Sequence, residues 1–152
     1  MMKRMPTIKS VMTAFPYTIE IDDSLAAAQD MMTAHDIHHL PVSDGGRLVG
    51  VISKHDIETA LAREPDTPRA ALGVRGCYNS HVYVVGLKAP LDSVLLRMAD
   101  EHIRSVLVVK GDKLAGIFTV TDACLHFAEL LQSQYRPSPD DNEPDGDDDQ
   151  AA

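Results

Sequence analysis

Two pairs of residues in this 152-residue chain have types and spacing that can do chemistry. Ser53 and Asp56 follow an apolar run at 48–52, and Thr119 and Asp122 follow Gly116-Ile117-Phe118. The two stretches are offset by 66, which is 116 minus 50 for their leading glycines. In each, a strand runs into a hydroxyl and helical spacing begins behind it, with Ile57, Ala60 and Leu61 marking the first helix. A helix start offers amides and partial positive charge to a phosphate, the hydroxyl adds a donor, and the carboxylate can accept from two vicinal sugar hydroxyls. The same letters also spell a capping box, in which both side chains only satisfy orphan amides. Both readings stand here, and both can hold at once. Ser53, His55 and Asp56 are neighbours on one turn, so they cannot line up as nucleophile, base and orienter. There is no Walker-type loop. Hydrolysis or transfer is not expected, and the chain reads as a non-enzyme.

The elements that must position these residues are legible from periodicity. A short turn at 7–12 is predicted to pack Ile8, Val11 and Met12 inward. Alternation predicts a strand over 17–21. Asp22-Asp23-Ser24 starts a helix carrying Leu25, Ala28, Met31 and Met32 at helical spacing, and His35-Asp36 ends it with a left-handed residue. Strands at 39–42 and 47–52 flank the turn Asp44-Gly45-Gly46. A helix follows from Ser53 to about Arg63, and the prolines of 64–68 mark a linker. Adding 66 reproduces the pattern without a gap: Tyr17 meets Tyr83, Leu25 Leu91, Met32 Met98, Gly45 Gly111, Gly50 Gly116 and Asp56 Asp122. Chance apolar periodicity would not also align glycines and aspartates, so the chain is an internal duplication.

Composition bounds the rest. The net charge of −9 is concentrated in the tail: seven of the 23 acids lie in 140–149, leaving 16 against 14 Lys and Arg elsewhere. A near-neutral body gives no nucleic-acid surface. No run of about 18 apolar residues exists to span a membrane, and the first residues do not form a secretory signal. Cys77 and Cys124 have no metal spacing and are expected to be buried thiols in a cytoplasmic protein. The histidines at 35, 38, 39 and 55 raise a metal or redox-sensing alternative. It ranks low, because His38 and His39 on a strand point to opposite faces. The segment 137–152 holds three prolines and no large apolar residue, so it is expected to be disordered.

Each half resembles a cystathionine-beta-synthase (CBS) domain, and the whole resembles a tandem CBS pair, or Bateman module. The resemblance rests on Ile8-Lys9-Ser10-Val11-Met12-Thr13, on Ser24-Leu25, on Ile37-His38-His39-Leu40-Pro41-Val42, and on the stretch from Asp44 through Ser53 to Asp56. It covers roughly residues 7–132. It implies an α/β fold of two β-α-β-β-α repeats packed sheet to sheet about a pseudo-two-fold axis. Repeat 1 would span 1–64, linker and repeat 2 65–136, and the acidic tail 137–152. Departures occur where the family commonly has Gly before Ile37, here Asp36 and His102, and where it commonly has Arg after it, which Arg104 keeps in the second half and His38 replaces in the first. Pro41 is replaced by Leu107.

The resemblance also implies a regulatory ligand: AMP, ADP, ATP or S-adenosylmethionine. Asp56 and Asp122 would take the ribose, and Ser53 and Thr119 a phosphate or ribose oxygen. Thr18 and Val84, on the strands after Pro16 and His81, would contact adenine, with Leu40, Pro41, Val106 and Leu107 lining the base. His38, His39, Arg104 and Lys54 would meet phosphates. The expected output is a conformational shift read by a regulated partner protein of unknown identity. A stand-alone cytoplasmic homodimer is expected, with Ala26, Ala27, Ala60, Ala123 and Leu125 supplying apolar surface for the contact. The alternative is a structural or interaction module whose degenerate sites merely cap helices.

Overall fold

The computed structural model describes residues 2–136, so the expected disorder of 137–152 lies outside it. Repeat 1 comprises β1 (Thr13–Ala14), β2 (Ile19–Glu20), α1 (Leu25–His35), β3 (His39–Asp44), β4 (Arg47–Ser53) and α2 (Lys54–Arg63). Repeat 2 comprises β5 (Tyr83–Gly86), α3 (Leu91–Asp100), β6 (Ser105–Lys110), β7 (Lys113–Thr119) and α4 (Val120–Gln134). Short 3-10 turns occur at Ile8–Ser10, Arg69–Ala71 and Val74–Gly76.

Ser24 caps α1 by accepting from the Ala27 amide at 3.0 Å. Asp36 ends that helix at φ 50°, and His102 takes φ 55° after α3. Left-handed backbone here accounts for a glycine being the usual choice, and Asp and His are among the side chains that tolerate it. The β3–β4 hairpin turns on Gly45 and Gly46, both at positive φ, as a two-residue primed turn requires. The first strand is shorter than the alternation predicts. Only Ile19 and Glu20 pair with β3, while Tyr17 stacks on the His35 ring at 3.7 Å.

The sheets run β2-β3-β4 and β1-β7-β6-β5. Alternation along the hairpins makes two layers. Leu40, Val42 and Ile52 face α1 and α2, closing a core with Leu25, Ala28, Met32 and Ile57. Val106, Val108 and Phe118 do the same with Val94 and Met98. Pro41, Val51, Leu107 and Ile117 are buried on the opposite faces, where β4 lies against β7. The sheets therefore face each other with helices outside. Both hairpins slip register at matched places, between Val42 and Ser43 and between Val108 and Val109.

The leading segments exchange between repeats. Ile8 is buried in the second core and Val74 in the first. The Ile8 amide donates to Ala89 O and the Leu91 amide to Pro6 O, both at 2.9 Å. Sixty-six residues on, the Val74 amide donates to Asp23 O and the Leu25 amide to Leu72 O. β1 pairs antiparallel with β7, and Asn79 bridges Val51 in the matching place. Each core thus takes one of its buried residues, and partly buried neighbours beside it, from across the 64/65 boundary.

Candidate functional site

Both helix starts are complete capping boxes. Ser53 Oγ accepts from the Asp56 amide at 3.1 Å, and Asp56 Oδ2 accepts from the Ser53 amide at 2.8 Å. The Thr119–Asp122 pair repeats this at 3.3 and 2.8 Å, and its hydroxyl also donates to Asp122 Oδ2 at 3.0 Å. The first helical amides are taken too. Lys54 N donates to His38 O at 2.8 Å and Val120 N to Arg104 O at 3.1 Å. The helix ends consequently offer less to a ligand than the sequence implied. Among the described residues, each first turn keeps one unengaged amide, at His55 or Thr121, and one carboxylate oxygen, Oδ1. The Ser53 hydroxyl also retains its proton for a ligand.

What gathers around these ends comes from both repeats. The Ser53–Asp56 turn opens into a cleft of about 1000 Å³. Its other walls are His38 and His39, and from repeat 2 His81, Tyr83, Arg97, Glu101, His102 and Arg104. Thr119, Thr121 and Asp122 line a cleft of about 330 Å³ together with Tyr17, Asp36, His38 and His39 of repeat 1. Every residue lining the smaller cleft has its counterpart, 66 positions away, lining the larger one. His38 and His39 line both. Burial pushes His39 below the ordinary imidazole value of 6.5, and His38 and Arg104 add to this. Asp56 of one cleft and Asp122 of the other pull it back up.

Of the residues expected to bind, His38, His39, Ser53, Lys54, Asp56, Arg104, Thr119 and Asp122 line clefts. The others line neither cleft. Leu40 and Val106 are fully buried in the helix-facing cores, so their side chains cannot line a base. Pro41 and Leu107 are buried on the sheet-to-sheet faces and line neither cleft. Thr18 and Val84 are exposed beside the clefts, and the preceding Tyr17 and Tyr83 do the lining. Arg97 escaped sequence reasoning. Its guanidinium carbon lies 4.3 Å from the Tyr83 ring centroid, and its Nε is 3.0 Å from Glu101 Oε2. Its i,i+4 spacing to Glu101 was readable, but nothing local placed the end of α3 in the same cleft as Ser53.

Cys77 is half-buried and Cys124 exposed, so the two are not both core thiols. Burial pushes the Cys77 thiol up, away from the reactive thiolate. Among the described residues no group of three or more His, Cys, Asp or Glu could hold a metal ion. No helix among them is long and apolar enough to cross a membrane.

Duplicated β-α-β-β-α units with facing sheets and two matched clefts define a pair of CBS domains. The CBS domain family model matches residues 8–63 and 74–129, and the chain belongs to that family. Hypoxic response protein 1 of Mycobacterium tuberculosis is 30% identical over 135 residues, covering 86% of this chain and 92% of that one. A crystal structure of that protein, with two coordinated zinc ions, superposes at a TM-score of 0.68 and 26% identity, covering 80% and 98%. The CBS domain pair of protein MJ0100, in complex with 5′-methylthioadenosine and S-adenosyl-L-methionine, gives a TM-score of 0.73 at 26% identity, covering 84% and 99%.

Proposed function

We propose that this protein is a regulatory module that binds an adenosyl ligand (AMP, ADP, ATP or S-adenosylmethionine) between its repeats and signals to a partner protein by conformational shift. The observation that carries this reading is the composition of the clefts: each joins the hydroxyl–carboxylate turn of one repeat to the tyrosine strand and the His or Arg of the other. A ligand there touches both repeats, so its affinity depends on how they are set against each other. By linkage, the ligand then favours one setting. The adenosyl ligands of the MJ0100 domain pair support the ligand class. Asp56 and Asp122 use one oxygen as a cap and have Oδ1 left for the ribose.

The test is thermal melting of the full chain with each ligand. Ligand at 100 times its Kd stabilises by about 2.7 kcal/mol, a shift of several degrees. A curve unmoved by all four ligands at millimolar concentration would establish the degenerate, cap-only module instead.

A further inference from the structure

Because the clefts are related by duplication, most differences between them are exchanges at matched positions; the larger also takes Glu58, Arg97 and Glu101, whose counterparts do not line the smaller. Lys54 stands where repeat 2 has Val120, and His55 where it has Thr121. Arg104 and His102 line the larger cleft where His38 and Asp36 line the smaller. All four exchanges make the larger cleft the more basic. Of its cations, Arg97 is held by Glu101, whereas among the described residues neither Lys54 nor Arg104 makes an ion pair. The larger cleft sets Lys54, Arg97 and Arg104 against the carboxylates of Asp56, Glu58 and Glu101, whereas the smaller has no Lys or Arg in its walls to set against Asp36 and Asp122. It also has about a third of the volume.

A phosphate chain in the smaller cleft would face those carboxylates without a permanent cation to offset them, within walls that weaken solvent screening. In the larger cleft it would meet Lys54, Arg104 and the His55 amide. We infer that the two clefts sort adenosyl ligands by charge: the larger takes one carrying a phosphate chain, and the smaller takes one whose tail is uncharged or cationic. This rests on the adenosyl reading above and adds the specificity of each site, with Arg104, Lys54 and Asp36 as the residues that set it.

The experiment is calorimetric titration of the full chain with ADP and with 5′-methylthioadenosine, singly and each in the presence of the other. Both are expected to bind at once, with only the ADP affinity falling as salt rises. Arg104→His, which makes the larger cleft resemble the smaller, should weaken ADP by about tenfold, as loss of a charge-assisted contact does, and leave methylthioadenosine unchanged. Asp122→Asn keeps an acceptor for the Thr119 amide and should weaken methylthioadenosine alone. Melting curves of both variants, matched to the parent, show that the effects are local. Competition between the two ligands, equal loss of both in Arg104→His, or binding of ADP alone would overturn charge sorting while leaving the sensing function in place. Binding of neither would overturn charge sorting, and the sensing function falls with it only if all four ligands also leave the melting curve unmoved.

Discussion

His39 stands where the two clefts meet, and its environment makes a pH prediction. Burial, then the neighbouring His38, hold its ring towards the neutral form. A folded-state value below 6.5 means that this group's contribution to stability is complete above pH 6.5. It is lost as pH falls through the lower folded value, because the unfolded chain takes the proton more readily. His39→Gln should therefore lose less stability than the parent between pH 7.5 and 5.5, as read by urea unfolding at each pH. An anionic ligand beside the ring reverses the bias, so ADP should bind more tightly as pH falls through the same window, with proton uptake measurable in buffers of different ionisation enthalpy. An ADP affinity independent of pH would place the phosphates away from His39. Residue types and spacing were enough to single out Ser53, Asp56, Thr119 and Asp122. They could not reveal that the first helical amide behind each cap is also taken, since that depends on its hydrogen bond to the His38 or Arg104 carbonyl just before β3 or β6.

At the scale of elements, the crossing segments explain two glycines that the duplication marks without a reason. A Cβ on Gly50 would collide with the Asn79 backbone oxygen and lie 2.7 Å from the Tyr78 ring. On Gly116 it would collide with the Met12 sulfur and lie 2.9 Å from Thr13 O. Both glycines sit in buried hairpin positions where the other repeat's leading segment passes. Gly50→Ala should cost about 1–3 kcal/mol through overpacking and displace residues 78–83, which wall the larger cleft. Gly116→Ala should cost less, because the thioether of Met12 can swing aside. Denaturant unfolding of the two variants gives the order, and equal or negligible losses would show that the crossing segments are not tightly held. The sequence reading missed the exchange because Ile8 and Val74 lie before the stretch in which the repeats were matched. Their partners are also some 80 and 50 residues away along the chain.

At the scale of the molecule, the two helical faces differ. Over repeat 1, the linker turn covers α1, with Arg69 reaching Asp30 at 3.0 Å and Gln29 at 2.9 Å. Ala60 and Ala123, expected at a dimer contact, pack on their own cores instead. The surplus apolar surface is on repeat 2. α4 has no buried residue, and Leu125, Phe127 and Leu130 are about half exposed or more, as is Leu96 on α3. A 15-residue helix with so little support is marginal alone in water. The acidic segment that follows has no large apolar residue to cover it. A two-fold dimer through α3 and α4 is the expected assembly, with each large side chain counted twice and worth about 1–2 kcal/mol when its remaining exposed surface is buried. Light scattering at tens of micromolar should give a dimer, and Phe127→Ser with Leu131→Ser should give a monomer that still binds ADP. A monomeric parent protein would contradict this assembly.

The duplication, the strand–helix order, the hairpin turns and both hydroxyl–carboxylate pairs were determined by local chemistry: side-chain period, turn residues and caps are short-range properties that survive in a linear reading. Tertiary structure decided which repeat completes which cleft, that Leu40 and Val106 turn to the helices, and that Arg97 stands over Tyr83 in the cleft that Ser53 lines. It also decided that the apolar excess falls on one helical face only. These depend on sheet facing and on the exchange of leading segments. Such long-range relations leave no periodic trace in a single sequence.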